Sequence, residues 1–467
     1  MIELFAITLY LVLLFSFAKW KQKKGQTGED FLIGSRCMGK WTTALAAHAS
    51  DMSNWLFMAY PGMVFLIGGQ YIWAAIGLTL IMWMNWIFIA PKIRIQSEKA
   101  EAITLCGFFE SRLEQQWSSG RLVISLAQFL FYIVYVAAIL SGLAMLLETL
   151  FPISYFMGAI IGIALVVPLL LIGGYATLAE VDLFQGLFLL FVILFVPLFV
   201  LGVSGNAARW IETVHSQGKS FSPFHGSLLS NVFLMFGWGL GYFGQPHIIT
   251  KFMGIRDPNH LVFSKRIGIS WQIVSLFAAT LIGFVGIAFL PHLANEEMVF
   301  ITLVRSYFHP FVSGIFLCAI LAAILNAMSS MLLVLSTTLS EDLYNRFSKK
   351  KLTNQKQLNL ARGSCVVAAL CSLGIALPHF ASINKLVLYA WSGLGATFGP
   401  LLIASLYFKR LNKNGALFGM VTGGVAVCLW PLINREIPSL IVAFPLSILA
   451  IFFGSRVLNR KPEKVQN

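Results

Sequence analysis

Along this chain apolar residues come in runs of about 20 without a charge, the length a helix needs to cross a bilayer. Polar residues collect in short stretches between the runs. The pattern predicts helices near residues 2–20, 41–68, 71–91, 120–149, 154–173, 182–204, 228–250, 267–291, 308–343, 362–378, 386–408, 415–432 and 438–455. An odd number of spans puts the termini on opposite faces of a membrane. The first run, Ile2 to Trp20, leads into lysine-rich sequence rather than a small-residue cleavage site, so it reads as a retained helix. The longest loop on one face is Gly205 to Leu228, and the stretch after Arg456 is too short to make a domain. One integral membrane domain over 1–467 is the expectation.

Two runs do not read as ordinary spans. The second carries Ala47-His48-Ala49-Ser50-Asp51-Met52-Ser53-Asn54 in its middle. An ionisable residue at mid-membrane depth costs several kcal/mol and marks function by default. The seventh reads Gly237-Trp238-Gly239-Leu240-Gly241-Tyr242-Phe243-Gly244-Gln245-Pro246-His247. Its glycines and proline break regular helix, and the freed backbone groups are tolerated only where they line a cavity. The two breaks lie five spans apart. Paired interruptions at matching places in two halves point to a transporter site at a repeat interface, with repeats over 41–204 and 228–408 and peripheral helices at 2–20 and 415–455.

Composition sharpens this. The chain is 58% hydrophobic and 11% charged, against about 25% charged in a soluble domain, which excludes a water-soluble fold. The net charge of +14 would suit nucleic acid. Threaded through the spans, however, most Lys and Arg fall on one face: Lys19 to Lys40, Lys92 to Arg121, Lys251 to Arg266, Arg346 to Arg362, Lys409 to Lys413 and the tail. That bias marks the cytoplasmic side, placing the N-terminus outside and the C-terminus inside, and no nucleic-acid partner is expected. Six scattered cysteines show neither metal spacing nor a disulfide framework. No HExxH, GxSxG or P-loop appears, so a membrane-embedded enzyme is the remote alternative. The short tail leaves no room for a fused signalling domain.

At the two breaks, and at Ala319-Ile320-Leu321-Ala322-Ala323, Glu341-Asp342-Leu343-Tyr344 and Tyr389-Ala390-Trp391, the chain resembles the sodium/solute symporter family, nearest its proline-carrying members. The resemblance covers nearly the whole chain in the expected order. It implies an all-α membrane protein of about 13 helices with the LeuT-type five-plus-five inverted repeat and peripheral helices. It also implies a bacterial inner membrane, no cofactor, and uptake of proline or a related small amino acid with a cation. No obligate protein partner is evident beside the solute and the lipid bilayer. Solute contacts carry over to Trp238, Tyr242, Pro246 and Tyr135, with Asp51, Ser53, Asn54 and Gln245 around the breaks.

The family's sodium site implies carbonyls of Ala49, Met52 and Ala323 completed by two adjacent hydroxyls on the ninth span. Here those positions hold Asn326 and Ala327. Asn can offer an amide oxygen and Ala none, so the site as inherited is a ligand short. His48, just before Ala49, and Asp182, which matches a family carboxylate linked to ion coupling, are candidate proton carriers, and Asp182 is also a candidate sodium ligand. Sodium coupling through Asn326 and proton coupling through His48 or Asp182 are both open on the sequence. Asn54 stands where the family carries glycine. Arg36 in Gly34-Ser35-Arg36 matches an arginine at the cytoplasmic mouth. Glu180, Glu341 and Asp342, with Lys349 to Lys351 nearby, read as charged span ends, and His247, Lys251 and Arg256 as anchors of the seventh.

Overall fold

The computed structural model describes residues 2–22, 31, 36–113, 117–203, 207–290, 293–344, 353–378 and 381–457; Gly34, Ser35 and Lys349 to Lys351 lie outside them. In hydrocarbon every backbone amide must be paired internally, so each apolar run coils into helix. In chain order these are α1 (Ile2–Lys21), α2 (Lys40–Met52), α3 (Ala59–Ile67), α4 (Ile72–Met84), α5 (Ala90–Lys99), α6 (Leu105–Arg112), α7 (Ser118–Leu150), α8 (Tyr155–Val203), α9 (Ala207–Ser216) and α10 (Leu228–Gly239). They continue as α11 (Pro246–Met253), α12 (Leu261–Phe289), α13 (Val299–Tyr307), α14 (Pro310–Thr337), α15 (Asn354–Ala376), α16 (Ile383–Tyr407), α17 (Lys413–Ile433) and α18 (Ser439–Val457).

Ten helices among the described residues are long and apolar enough to cross a membrane. One of them, α8, runs 49 residues but turns at Gly174, where φ is 62°. The Phe31 Cα lies 3.2 Å from where a Gly174 Cβ would sit, so both the backbone conformation and the close packing call for glycine. Taking the halves of α8 separately, and adding the interrupted segments 40–67 and 228–253, recovers the thirteen predicted spans. The helices overrun several predicted ends. α15 begins at Asn354 and α12 at Leu261, because polar residues that face water extend a helix without penalty. The short helices α6, α9 and α13 lie off the spans and carry no long apolar run to announce them.

Both predicted interruptions are present. α2 stops at Ser53, which sits at φ 44° and ψ −160° and accepts the Trp55 amide on its side chain. α10 ends in a tight turn over Leu240–Gly244, Gln245 is extended, and Pro246 opens α11 at its first turn, where the missing N–H costs nothing. The glycines let this turn sink against α16: a Cβ on Gly241 would lie 1.9 Å from the Trp391 Nε1, and one on Gly244 would lie 2.5 Å from the Leu394 carbonyl. α2 packs against α8, α11, α12 and α14, so both breaks meet inside the bundle. The peripheral pair α17 and α18 packs closely, with Gly454 against the Gly415 backbone, the small-residue contact favoured between membrane helices.

Candidate solute and cation site

The broken ends converge on Asp51, which is 6% exposed on the last turn of α2. Its Oδ2 accepts from the Tyr242 hydroxyl at 2.5 Å, and Gln272 of α12 donates to that hydroxyl at 3.2 Å. The other oxygen, Oδ1, has no hydrogen-bond partner among the described residues and stands 3.6 Å from the His247 Nε2. A buried carboxylate is retained only where donors or a charge compensate it. Asp51 thus has one oxygen fixed and one, buried opposite His247, that accepts no hydrogen bond among the described residues.

Asp51, Met52, Trp55, Tyr135, Trp238, Tyr242 and Trp391, with Leu78 and Val387, line a narrow cavity of about 10 Å³, room for about one water. Its wall is aromatic: Trp55 and Trp238 lie 4.9 Å apart between centroids, and Tyr242 meets Trp391 edge-on at 5.0 Å. The Trp391 indole N–H donates to the Trp238 carbonyl at 2.7 Å, and Asn85 donates to the Tyr242 carbonyl at 3.0 Å. These bonds satisfy carbonyls that the broken helix frees.

The structure brings Trp238, Tyr242, Tyr135 and Asp51 together and places the other named residues around them. Pro246 lines a neighbouring chamber with Gln128, His247, Lys251 and Asp342. Ser53 caps the turn after the first break. Gln245 ties the second break together, donating to the Gly241 and Trp391 carbonyls. Asn54 packs against Gly142 of α7, with neither amide atom hydrogen-bonded among the described residues.

On the cation side, α2 leaves its last carbonyls, Ala49 to Met52, without partners inside the helix, at the end where the dipole is negative. α14 packs across this end and carries Ala323, Asn326 and Ala327. The Asn326 amide is 2% exposed, and neither its oxygen nor its nitrogen has a hydrogen-bond partner among the described residues. An unpaired buried amide oxygen is the one side-chain ligand these positions can give to a hard cation, and Ala327 adds none.

His48 faces elsewhere. Its Nε2 accepts the Trp86 indole N–H at 3.1 Å, its ring stacks on Trp86, and a Cβ on Gly268 would strike it at 2.3 Å. Asp182 pairs with Lys251 at 3.3 Å, and both side chains are buried. Arg36 donates to Ser97 and to the Met253 and Ala102 carbonyls. Buried Arg94, which sequence reasoning missed, donates to the Ile255 and Arg256 carbonyls. Together they hold the end of α11. Glu180 pairs with Lys21, Asp342 accepts from Thr104, and Gln357 donates to Glu341.

Sequence reasoning also passed over Trp55, Asn85, Tyr132 and Gln272. Asn85 and Gln272 were detectable as lone amides inside apolar runs. The aromatics carried no signal separating a pocket wall from ordinary packing.

The profile of the sodium:solute symporter family matches residues 31–423. The sodium/proline symporter of Salmonella typhimurium is 35% identical over 440 residues, covering 92% of this chain and 87% of the relative. The high-affinity proline transporter PutP of Bacillus subtilis is 35% identical over 461 residues, covering 97% of each. Among solved structures, a Na+-coupled sialic acid symporter in a substrate-bound outward-open state superposes with a TM-score of 0.85 at 18% identity, covering 98% of each chain. MhsT in complex with L-phenylalanine gives a TM-score of 0.59 at 15% identity, over 90% of this chain and 99% of that one. These two share the fold, an all-helical bundle of the LeuT type. From the profile and the relatives together, this multi-pass membrane chain belongs to the sodium:solute symporter family.

Proposed function

We propose that the chain is a secondary symporter that takes up proline, or a closely related small amino acid, with sodium as the coupling ion. One observation carries the reading: a buried carboxylate with a free oxygen stands in an aromatic cavity where two interrupted helices meet. Asp51 Oδ1 suits the solute's ammonium, and the freed backbone amides of the second break suit its carboxylate. The Trp55, Trp238, Tyr242 and Trp391 faces suit an apolar ring such as pyrrolidine. The curated relatives named as proline transporters favour proline among zwitterions.

The α2 carbonyls and the Asn326 amide oxygen supply sodium ligands without excess charge, and such hard oxygen donors suit that ion. Proton coupling through His48 fits less well. Indole is a donor only, so His48 Nε2 must stay unprotonated to keep its bond to Trp86. Asp182 already faces the Lys251 ammonium. One cation moving down about 100 mV releases about 2.3 kcal/mol, enough for roughly 50-fold accumulation at about 1.36 kcal/mol per tenfold.

In this reading residues 41–204 and 228–408 are inverted repeats flanked by peripheral helices. The basic end with Arg36, Arg94 and Lys251 faces the cytoplasm of a bacterial inner membrane, with the N-terminus outside. The protein carries its solute unchanged and is not an enzyme. Radiolabelled proline uptake into proteoliposomes under a sodium gradient tests the assignment, and failure of proline uptake under any imposed gradient refutes it.

A further inference from the structure

His247 stands on the first turn of α11, 1% exposed, between two partners. The Tyr132 hydroxyl on α7 lies 3.0 Å from its Nδ1, and that same hydroxyl accepts the His247 backbone N–H at 2.9 Å. Tyr132 is itself fully buried, and its hydroxyl proton must find an acceptor. The Nδ1 lone pair is the acceptor in reach. A hydroxyl that accepts from the backbone and donates to Nδ1 leaves the imidazole proton on Nε2. Nε2 has no hydrogen-bond partner among the described residues, and it looks across 3.6 Å at the equally unpartnered Asp51 Oδ1. That gap exceeds a hydrogen bond. It leaves Oδ1 free for a solute while the N–H dipole stays aimed at it.

Resting on the symporter reading above, we propose that His247 is a positioning residue of the solute site. Its tautomer is set by Tyr132, and its Nε2–H dipole faces the second oxygen of Asp51 and keeps it turned toward the incoming ammonium. The first oxygen is held by Tyr242, so the carboxylate faces a donor from each of the two segments that flank the break at Gln245. The geometry has a consequence for the transport cycle. α7 meets the Asp51 carboxylate through Tyr132 by way of His247, beside the Tyr135 that lines the same cavity, so solute binding at Asp51 is felt on α7 through the His247–Tyr132 pair.

Initial uptake rates of the full chain in proteoliposomes, measured against proline concentration, test the proposal in wild type, His247→Gln and His247→Asn. The glutamine amide nitrogen reaches the place of Nε2, and the asparagine amide ends at the place of Nδ1. His247→Gln is expected to keep the half-saturating concentration near the wild-type value. His247→Asn should raise it about tenfold, equivalent to about 1.4 kcal/mol, with a smaller change in maximal rate. Tyr132→Phe should raise it in the wild type and add little in the His247→Asn background, the mark of two residues acting as one unit. Proline-dependent thermal stabilisation of each purified variant reads the same affinity order where transport is too weak. Equal affinities for the Gln and Asn variants, or full additivity with Tyr132→Phe, overturn the proposal while wild-type uptake leaves the symporter reading standing. A wild type that takes up no proline overturns both.

Discussion

Replacing Lys251 by Met tests how the buried charge of Asp182 is held. The two side chains are 3% and 1% exposed and 3.3 Å apart, with the Lys251 ammonium also 4.9 Å from the Tyr175 ring centroid. At that separation and an effective dielectric near 20, their attraction is about 5 kcal/mol. Removing one partner of such a pair costs about 3–5 kcal/mol, because the other is left charged and buried. At about 2.1 cal/mol/K per residue, the unfolding entropy of the 467-residue chain is near 1 kcal/mol/K. Lys251→Met should therefore lower the melting temperature by roughly 3–5 °C. Adding Asp182→Asn should restore most of the loss, since it removes the stranded charge. Intrinsic fluorescence of the detergent-purified protein during a thermal ramp reads both shifts. A single variant that melts with the wild type, or a double variant no more stable than the single, would show that the pair does not neutralise Asp182 and would return that carboxylate to the list of cation ligands.

Two further outcomes follow from other contacts. Tyr242→Phe strips Asp51 Oδ2 of its donor. An unsatisfied buried acceptor costs about 1–3 kcal/mol, so proline half-saturation should rise by about tenfold or more, read by uptake kinetics. Glu297, in the turn before α13, accepts from the Ile383 and Asn384 amides. Burial pushes its carboxyl above the ordinary range, and the two backbone donors offset this in part. Because the folded protein holds this proton more tightly than the unfolded chain, stability falls as pH rises from the ordinary glutamate range through the folded value. Melting curves across that window should show the slope, and Glu297→Gln should remove it.

The fold was legible because hydrocarbon imposes so few solutions. Charge-free runs gave the spans, and Gly237 to Pro246 announced a break that no regular helix could accommodate. The site was legible in part. Asp51, Trp238 and Tyr242 stood out as a charge at mid-membrane depth and as aromatics on one face of an interrupted segment. Pro246, Ser53 and Gln245 sit close in sequence to those residues, but the breaks rotate them away into a second chamber, a cap and a tie to α16. Helical spacing stops predicting a face once the helix stops. Tyr132, Gln272 and Trp55 were hidden for the opposite reason, since in an apolar run a residue that lines a pocket and one that packs a helix look alike. His48 reads as a proton carrier by its neighbourhood in sequence, and in space its ring lies against Trp86, Trp271 and Gly268.

The central claim, sodium-driven proline uptake through a site with Asn326 in place of a hydroxyl, is tested most directly in proteoliposomes holding the purified chain. Radiolabelled proline uptake is followed with sodium and pH gradients imposed separately. The account predicts accumulation with the sodium gradient at uniform pH, abolished by Asp51→Asn. Accumulation driven by the pH gradient alone, without sodium, would contradict it.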